Sequence, residues 1–334
     1  MSIAENNSSI LIDNHGRRMD YLRLAVTDRC NLRCQYCMPE QGVKHVPHDN
    51  ILRWEEMLRL CRILVDHGLR KIRITGGEPF VRKDLVPFLA ELAKLEPRPQ
   101  IGITTNGVLL DRYLDQLEEA DIKHLNISLD SLSPQIYKKI TRRNNFKETW
   151  NSLLKAVNRG FNVKTNTVLQ PGLNDDEIED FVKLTKSLPI TARFIEPMPF
   201  SGSPDHEFQE FSGYKIKERL EKAFDIKPLN KNDSRVATLY KVKGYAGRVG
   251  IIFAFSRTFC DSCSRMRISA QGQMRTCLYG QNVLDLRELL RCGSSDKTII
   301  NAINNVLQKR FKNGFEAEKH RTKSLFESMS AIGG

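Results

Sequence analysis

No apolar run in this sequence of 334 residues approaches the roughly 18 residues that a membrane-spanning helix needs, so no membrane partner is expected. The first residues, MSIAENNSSILIDNHGRR, lack a basic start, an apolar stretch and an excess of arginine. Neither a secretory signal nor a transit peptide is expected, and the expected location is cytoplasmic. Low-complexity tracts and tandem repeats of the solenoid kind are also missing. Acidic residues are in deficit: 40 Asp and Glu stand against 52 Lys and Arg, for a formal charge of +12. Such an excess favours an anionic partner, or else a lysine-rich solvated surface. Aromatic residues are scarce where the cations cluster. This disfavours a basic, zinc-containing RNA-binding module, which would need exposed rings among its cations.

What is present describes an ordinary folded chain, 40% hydrophobic and 28% charged. Such a length buries a large core without disulfide staples. Eight cysteines occur, and with no export signal their clustering points to metal or redox chemistry rather than disulfides. Cys30, Cys34 and Cys37 form one group, and Cys260, Cys263 and Cys277 another. Cys61 and Cys292 stand alone in helix-like stretches and read as helix-face core residues.

A strand–helix rhythm runs through the first two thirds of the chain. Strand-like runs fall at 21–26, 71–75, 100–104, 123–129, 162–169 and 192–196. Amphipathic helical stretches at 54–68, 83–95, 111–120, 146–160 and 175–188 lie between them. Six such units argue for an α/β fold with a parallel sheet, either an incomplete barrel or an open doubly wound sheet. The rhythm breaks near Met198 in a loop rich in Pro, Gly and Ser. Beyond it come a helix near 213–223, a Gly-punctuated β region at 240–256 and helices near 283–291 and 296–310. The division expected is an N-terminal extension (1–20), the β/α body (21–197), a C-terminal region (198–320) and a tail (321–334) that ends in Gly333–Gly334.

The first cysteine group, CNLRCQYC, has the spacing C-x3-C-x2-C and directly follows the first strand. In α/β barrels the chemistry collects at that end of the strands. Three thiolates so close suit a cubane cluster with one iron left open for a small molecule. Zinc with a distant fourth ligand is the competing reading. TGGEP (75–79), TTNG (104–107) and SLD (128–130) end the next three strands on the same side. The second group, C-x2-C-x13-C, needs Cys292 or His206 as fourth ligand if it is a zinc site, and is a second open cluster if neither binds. Arg265 and Arg267 sit two apart, so an extended strand points both the same way, and guanidinium groups grip phosphate bidentately.

Taken together, LRLAVTDRCNLRCQYCMP, KIRITGGEP, TTNG, LNISLD, RFIEPM, C-x2-C-x13-C and the terminal Gly–Gly resemble the GTP 3′,8-cyclase (molybdenum cofactor biosynthesis protein A) family. That family belongs to the radical S-adenosylmethionine superfamily. The resemblance runs from about residue 15 to the C-terminus. It implies an incomplete (β/α)6 TIM-like barrel, its open side covered by a C-terminal α+β region carrying a second iron–sulfur cluster. It implies two [4Fe-4S] clusters, on Cys30, Cys34 and Cys37 and on Cys260, Cys263 and Cys277. S-adenosylmethionine would contact Tyr36, Gly77, Ser128 and Met198. GTP would contact Arg23, Arg73, Thr104, Lys164, Arg265 and Arg267, its base directed at the open iron of the second cluster. Here Met198 is flanked by Pro197 and Pro199, where the family usually has a single bulky residue before the Met. The reaction implied is radical conversion of GTP to (8S)-3′,8-cyclo-7,8-dihydroguanosine 5′-triphosphate, the first step of molybdenum cofactor synthesis. A homodimer, an external electron donor and hand-over of product to cyclic pyranopterin monophosphate synthase are also implied, with no nucleic-acid partner. The rival is a radical enzyme acting on a peptide or RNA, for which a fourth cysteine ligand at Cys292 would speak.

Overall fold

The structure, a computed structural model, describes residues 10–44, 46–198, 212–230, 236–321 and 328–329. The Pro-rich loop beyond Met198, the candidate ligand His206, and Gly333–Gly334 lie outside them.

Alternation of period two builds the sheet. The expected strands are present as β1 (Tyr21–Ala25), β2 (Lys71–Thr75), β3 (Gln100–Thr105), β4 (His124–Ser128), β5 (Asn162–Val168) and β6 (Thr191–Ile195). On one face, Leu22, Leu24, Ile72, Ile74, Ile101, Ile103, Leu125, Ile127 and Phe194 are buried in a single apolar core. Each contributes about 1.5–3 kcal/mol through burial. The alternate positions are Tyr21 and Arg23, Lys71 and Arg73, Thr104, Asn126 and Ser128, Lys164 and Asn166, and Arg193. They line a cavity on the other face. The core therefore lies between sheet and helices, and the inner face is polar.

Helices α1 (Trp54–Asp66), α2 (Leu85–Ala93), α3 (Leu114–Glu119), α4 (Pro134–Thr141), α5 (Phe146–Asn158) and α6 (Ile178–Ser187) connect the strands. In α1 the residues Met57, Leu60, Cys61, Leu64 and Val65 form the buried stripe. Gly68, at φ +87°, lets the chain leave the helix in a left-handed turn. Helix α4 is not among the expected helical stretches. It starts at Ser133, whose Oγ accepts from the backbone N–H of Ile136, with Pro134 in its first turn.

Neighbours from β1 to β6 all pair in parallel. The C-terminal region continues the same sheet. Its strands are β7 (Ile226–Pro228), β8 (Thr238–Val242), β9 (Arg248–Ile252), β10 (Arg265–Ile268), β11 (Gln273–Arg275) and β12 (Leu284–Asp285). β10 pairs in parallel with β1 and β9 with β6, while the outer strands pair antiparallel. The order is β12-β11-β10-β1-β2-β3-β4-β5-β6-β9-β8-β7. The parallel stretch is thus longer than the six strands the rhythm suggested. β10, with two arginines in four residues, carries no apolar run by which to recognise it. Helices α7 (Gly213–Ala223), α8 (Leu286–Arg291), α9 (Asp296–Leu307) and α10 (Gly314–Lys319) complete the region. Among the described residues, no helix is long and apolar enough to cross a membrane.

Candidate active site

One cavity of about 930 Å³ collects the chemistry. Its wall includes all six clustered cysteines together with Tyr36, Gly77, Ser128 and Met198. Arg23, Arg73, Thr104, Lys164, Arg265 and Arg267 line it as well. Strand register explains much of this convergence. Arg267, Arg23, Arg73 and Gly102 lie side by side across β10, β1, β2 and β3.

The first cysteine loop follows β1 and is held from three directions. Gly77 N–H donates to the Thr27 carbonyl (2.9 Å) and Glu78 N–H to that of Arg29 (2.8 Å). A Cβ at Gly77 would lie 2.3 Å from the Arg29 carbonyl oxygen, so the glycine lets the two loops press backbone to backbone. The Glu78 side chain is fully buried. It accepts from Phe80 N–H, Thr105 Oγ1 and Asn106 N–H. Burial outweighs these bonds and pushes its carboxyl up to about 7. Asn106 in turn donates to Asn31 Oδ1 (2.7 Å) and, at 3.8 Å, to Cys30 Sγ. TGGEP and TTNG therefore serve the cysteine loop. SLD does the same through Asp130, whose Oδ2 accepts from the Tyr36 hydroxyl (2.8 Å). Burial first, then Glu78, raises the Cys30 thiol to about 12, and burial and Asp130 push Cys34 well above its ordinary value. Ser328 Oγ donates to the Cys37 carbonyl (3.0 Å), and Met329 lines the cavity, so this part of the tail reaches the site.

The cavity wall carries nine Arg and Lys side chains against three carboxylates. Two of those carboxylates are engaged locally: Asp130 with Tyr36 and the Val168 N–H, Glu196 with Gly213 N–H and Ser256. Gly102 makes room for Arg73, whose Nη1 would be 2.5 Å from a Cβ there. That nitrogen donates to the carbonyls of Ile103 (3.1 Å) and His124 (3.4 Å), while Nε is buried without a partner. Arg193 has both Nε and Nη2 buried and unpartnered. Burial lowers the Arg193 guanidinium to about 9, with Arg73 adding repulsion. Lys164 is lowered to about 8 by burial and then by Arg193, Lys71 and Arg73. Buried like charges of this kind call for an anion.

The second cysteine loop runs between β9 and β10. Glu196, just past β6, fastens its start by accepting from Ser256 N–H (2.8 Å) and Ser256 Oγ (2.6 Å). Arg257 stacks on Tyr279 at 3.5 Å and pairs with Glu318 at 2.6 Å. Arg265 Nε donates to Cys263 Sγ (3.4 Å), and Arg310 Nη2 donates to the same sulfur (3.2 Å). Burial alone would raise the Cys263 thiol, but Arg265 and Arg310 outweigh it and bring it down to about 6.

Two expectations need correction. Cys292 is exposed at the end of α8, bonded to Ser294, and does not line the cavity. It is neither a core residue nor a ligand to the second group. The chain leaves α8 at this residue, which turns its side chain outward. Cys61, by contrast, is fully buried in α1. Among the described residues, no three His, Cys, Asp or Glu side chains close on a single-ion site. Sequence reasoning missed Tyr21, Lys71 and Arg193, although each alternates with residues already assigned to a strand. It also missed Asp130, within the quoted SLD, and Arg310, which has no local pattern at all.

Family models match in the same two stretches: the Radical SAM superfamily over residues 24–185 and Molybdenum Cofactor Synthesis C over 190–315. Molybdenum cofactor biosynthesis protein 1 of Bos taurus is 43% identical over 299 residues, covering 89% of this chain and 47% of that protein. The chain thus spans about half the length of such animal relatives. GTP 3′,8-cyclase of Peptoclostridium acidaminophilum is 39% identical over 333 residues, 98% of this chain and 100% of that one. The Geobacter sulfurreducens protein of the same name is 40% identical over 97% of this chain and 99% of its own length. Among solved structures, Streptococcus suis SuiB matches with a TM-score of 0.61 at 13% identity, over 92% of this chain and 70% of that one. Native anSMEcpe with bound AdoMet gives 0.58 at 14%, over 91% and 84%. With two family models in tandem and relatives near 40% identity along nearly its whole length, the chain belongs to the GTP 3′,8-cyclase family of radical S-adenosylmethionine proteins.

Proposed function

We propose that this chain converts GTP to (8S)-3′,8-cyclo-7,8-dihydroguanosine 5′-triphosphate, using S-adenosylmethionine and two [4Fe-4S] clusters. The observation that carries the proposal is the cation-rich wall of a single cavity that has a three-thiol set on either side of it. The strands would form an incomplete (β/α)6 barrel, residues 21–197, with residues 198–320 covering its open side and bearing the second cluster. The continuous strand order, in which the outermost strands β12 and β7 each pair with one neighbour among the described residues, supports that description.

The donor sets fit the groups. All six cysteines are free, each set is mutually close enough for its thiols to influence one another, and no fourth cysteine joins either. Three protein ligands leave one iron open to a small molecule, which a closed four-thiolate site does not. Cys30, Cys34 and Cys37 would hold the first cluster and Cys260, Cys263 and Cys277 the second. The first supplies, when loaded, the electron that cleaves S-adenosylmethionine to start radical chemistry.

The chain's own residues bind and orient. Arg23, Arg73, Lys164, Arg265 and Arg267 converge from four strands, and Arg193 adds a fifth. A triphosphate gives Arg73 Nε and the unpartnered nitrogens of Arg193 acceptors they otherwise lack. Asn126 Oδ1, Asn166 Oδ1 and Gln170 Nε2 are also buried without partners in the cavity wall, and suit polar groups of sugar, base or S-adenosylmethionine. Tyr36 keeps its hydroxyl proton on the bond to Asp130 and thereby fixes the loop between Cys34 and Cys37. Clamping at many points matters because hydrogen abstraction tolerates little misplacement. Ser128, Gly77 and Met198 complete the part of the wall that would face S-adenosylmethionine. An external one-electron donor, a homodimer and a downstream pterin-forming enzyme belong to the same proposal.

Anaerobically reconstituted protein given GTP, S-adenosylmethionine and dithionite should form 5′-deoxyadenosine together with a cyclised GTP product. Formation of 5′-deoxyadenosine with no GTP-derived product would overturn the assignment. A fourth cysteine ligand at Cys292 would have favoured the rival reading, a peptide- or RNA-modifying enzyme, and Cys292 is exposed, outside the cavity.

A further inference from the structure

Arg310 approaches the second cysteine loop from behind and takes no part in the cavity wall. It lies just beyond α9 and is 4% exposed. Its Nη2 donates to Cys263 Sγ (3.2 Å), and the two hydrogens of its Nη1 are shared among the Cys263 carbonyl (2.9 Å), Asp13 Oδ2 (3.1 Å) and Met19 Sδ (2.9 Å). The guanidinium is therefore held through both of its terminal nitrogens. Asp13 is itself anchored: its Oδ2 accepts from Arg17 Nε (2.7 Å), and Arg17 Nη1 donates to the Cys260 carbonyl (3.0 Å). One buried carboxylate thus holds two arginines, and the two arginines hold the backbone of both cysteines in the C-x2-C pair.

We propose that Arg310 is a positioning residue for the second metal centre, fixing Cys263 as a ligand and favouring the reduced state of the cluster bound there. This rests on the reading that Cys260, Cys263 and Cys277 hold a cluster. Reduction adds one negative charge to a group bound through three thiolates. A cation whose N–H points at a ligand sulfur stabilises that added charge, and hydrogen bonds to sulfur are among the determinants of cluster potential. Arg265 reaches the same sulfur from the cavity side, where substrate phosphate competes for its charge. Arg310 stands outside that competition and acts whether or not substrate is bound.

The test uses the full chain carrying Cys30→Ala, Cys34→Ala and Cys37→Ala, so that only the second cluster assembles. Iron is counted after anaerobic reconstitution, with about four per chain expected. The midpoint potential is then read by electron paramagnetic resonance during a redox titration, with Arg310, Arg310→Lys or Arg310→Gln. Arg310→Gln should lower the midpoint so that, at the potential where the parent is half reduced, the reduced-to-oxidised ratio falls about tenfold, or 59 mV for a one-electron couple. Arg310→Lys, which keeps the charge without the fork, should shift it less, and serves as the measurement if the Gln variant loses iron. Iron-replete variants with an unmoved midpoint overturn the assignment of Arg310 alone, leaving it a structural residue. A parent chain that binds no iron overturns both this proposal and the cluster reading beneath it.

Discussion

The two cysteine loops present the same donor set in opposite surroundings. Around the first, the leading charge influences on the thiols are carboxyls, Glu78 on Cys30 and Asp130 on Cys34, and Arg33, which donates to the Cys30 carbonyl (2.6 Å), opposes them more weakly. Burial and those carboxyls push Cys30 up to about 12 and Cys34 well above its usual value. Around the second, Arg265 and Arg310 point at Cys263 and bring it down to about 6 against the pull of burial. Negative surroundings make an added electron costly to hold and easy to give away, whereas positive surroundings do the reverse. A set of three thiols does not by itself fix redox character. The residues one layer out do, and they come from distant parts of the chain.

The most forceful way to break this contrast is to delete one loop's ligands at a time. Cys30→Ala with Cys34→Ala and Cys37→Ala should abolish formation of 5′-deoxyadenosine. Replacing Cys260, Cys263 and Cys277 by Ala should leave S-adenosylmethionine cleavage and remove the GTP-derived product. Iron should fall in either case from about eight to about four per chain. Product analysis by chromatography separates the outcomes. Loss of S-adenosylmethionine cleavage in the second variant would show that the loops do not divide the work.

A smaller effect probes the wall between the loops. Arg193→Ala removes a guanidinium whose Nε and Nη2 have no partner among the described residues. Charged hydrogen bonds are worth about 1.5–3 kcal/mol, so KM for GTP should rise roughly tenfold to a hundredfold. KM for S-adenosylmethionine should not change. Steady-state kinetics with each substrate varied in turn measures this, and an equal rise in both would mean that Arg193 supports the fold of the cavity rather than the nucleotide.

The sequence made the first loop more legible than the second, for a physical reason. Most groups that serve the first loop sit at the ends of strands in the β/α rhythm: TGGEP, TTNG and SLD each occupy a turn that local chemistry marks out, and Ser328 is an exception. Gly77 lines the cavity and also presses against Arg29, a contact that no turn signal marks. The supports of the second loop come from both ends of the chain, Asp13 and Arg17 on one side and Arg310 on the other. No periodicity links residues some 300 positions apart, and only the fold brings them together. β10 was hidden for a related reason. RMRI has no apolar run, yet it forms a parallel strand because β1 offers it an edge and Met266 and Ile268 join the core. Arg193 was legible in principle, one position from Phe194 in a recognised strand, and only needed its face assigned.

The smallest and most discriminating effect concerns Tyr21. Burial would raise its phenol, but Arg73, Arg23 and Lys71 outweigh that and bring it down to about 7, from an ordinary value near 10. The folded value lies below the unfolded one. Its contribution to stability is therefore absent well below pH 7, grows between about pH 7 and 10, and is fully present above that range. Tyr21→Phe lacks the gain, so the stability difference between parent and variant, read from denaturant unfolding, should widen as pH rises through that window. Nucleotide binding should run the other way. A triphosphate takes over the cations that favour the phenolate, so Tyr21 regains its proton when GTP binds above pH 7. GTP affinity should then fall with rising pH in the parent more steeply than in Tyr21→Phe, and calorimetry in buffers of different ionisation enthalpy should detect more proton uptake in the parent than in Tyr21→Phe, where Lys164 still contributes. Equal pH profiles would mean that Tyr21 and the triphosphate do not share the same cations, and that the nucleotide sits elsewhere along the wall.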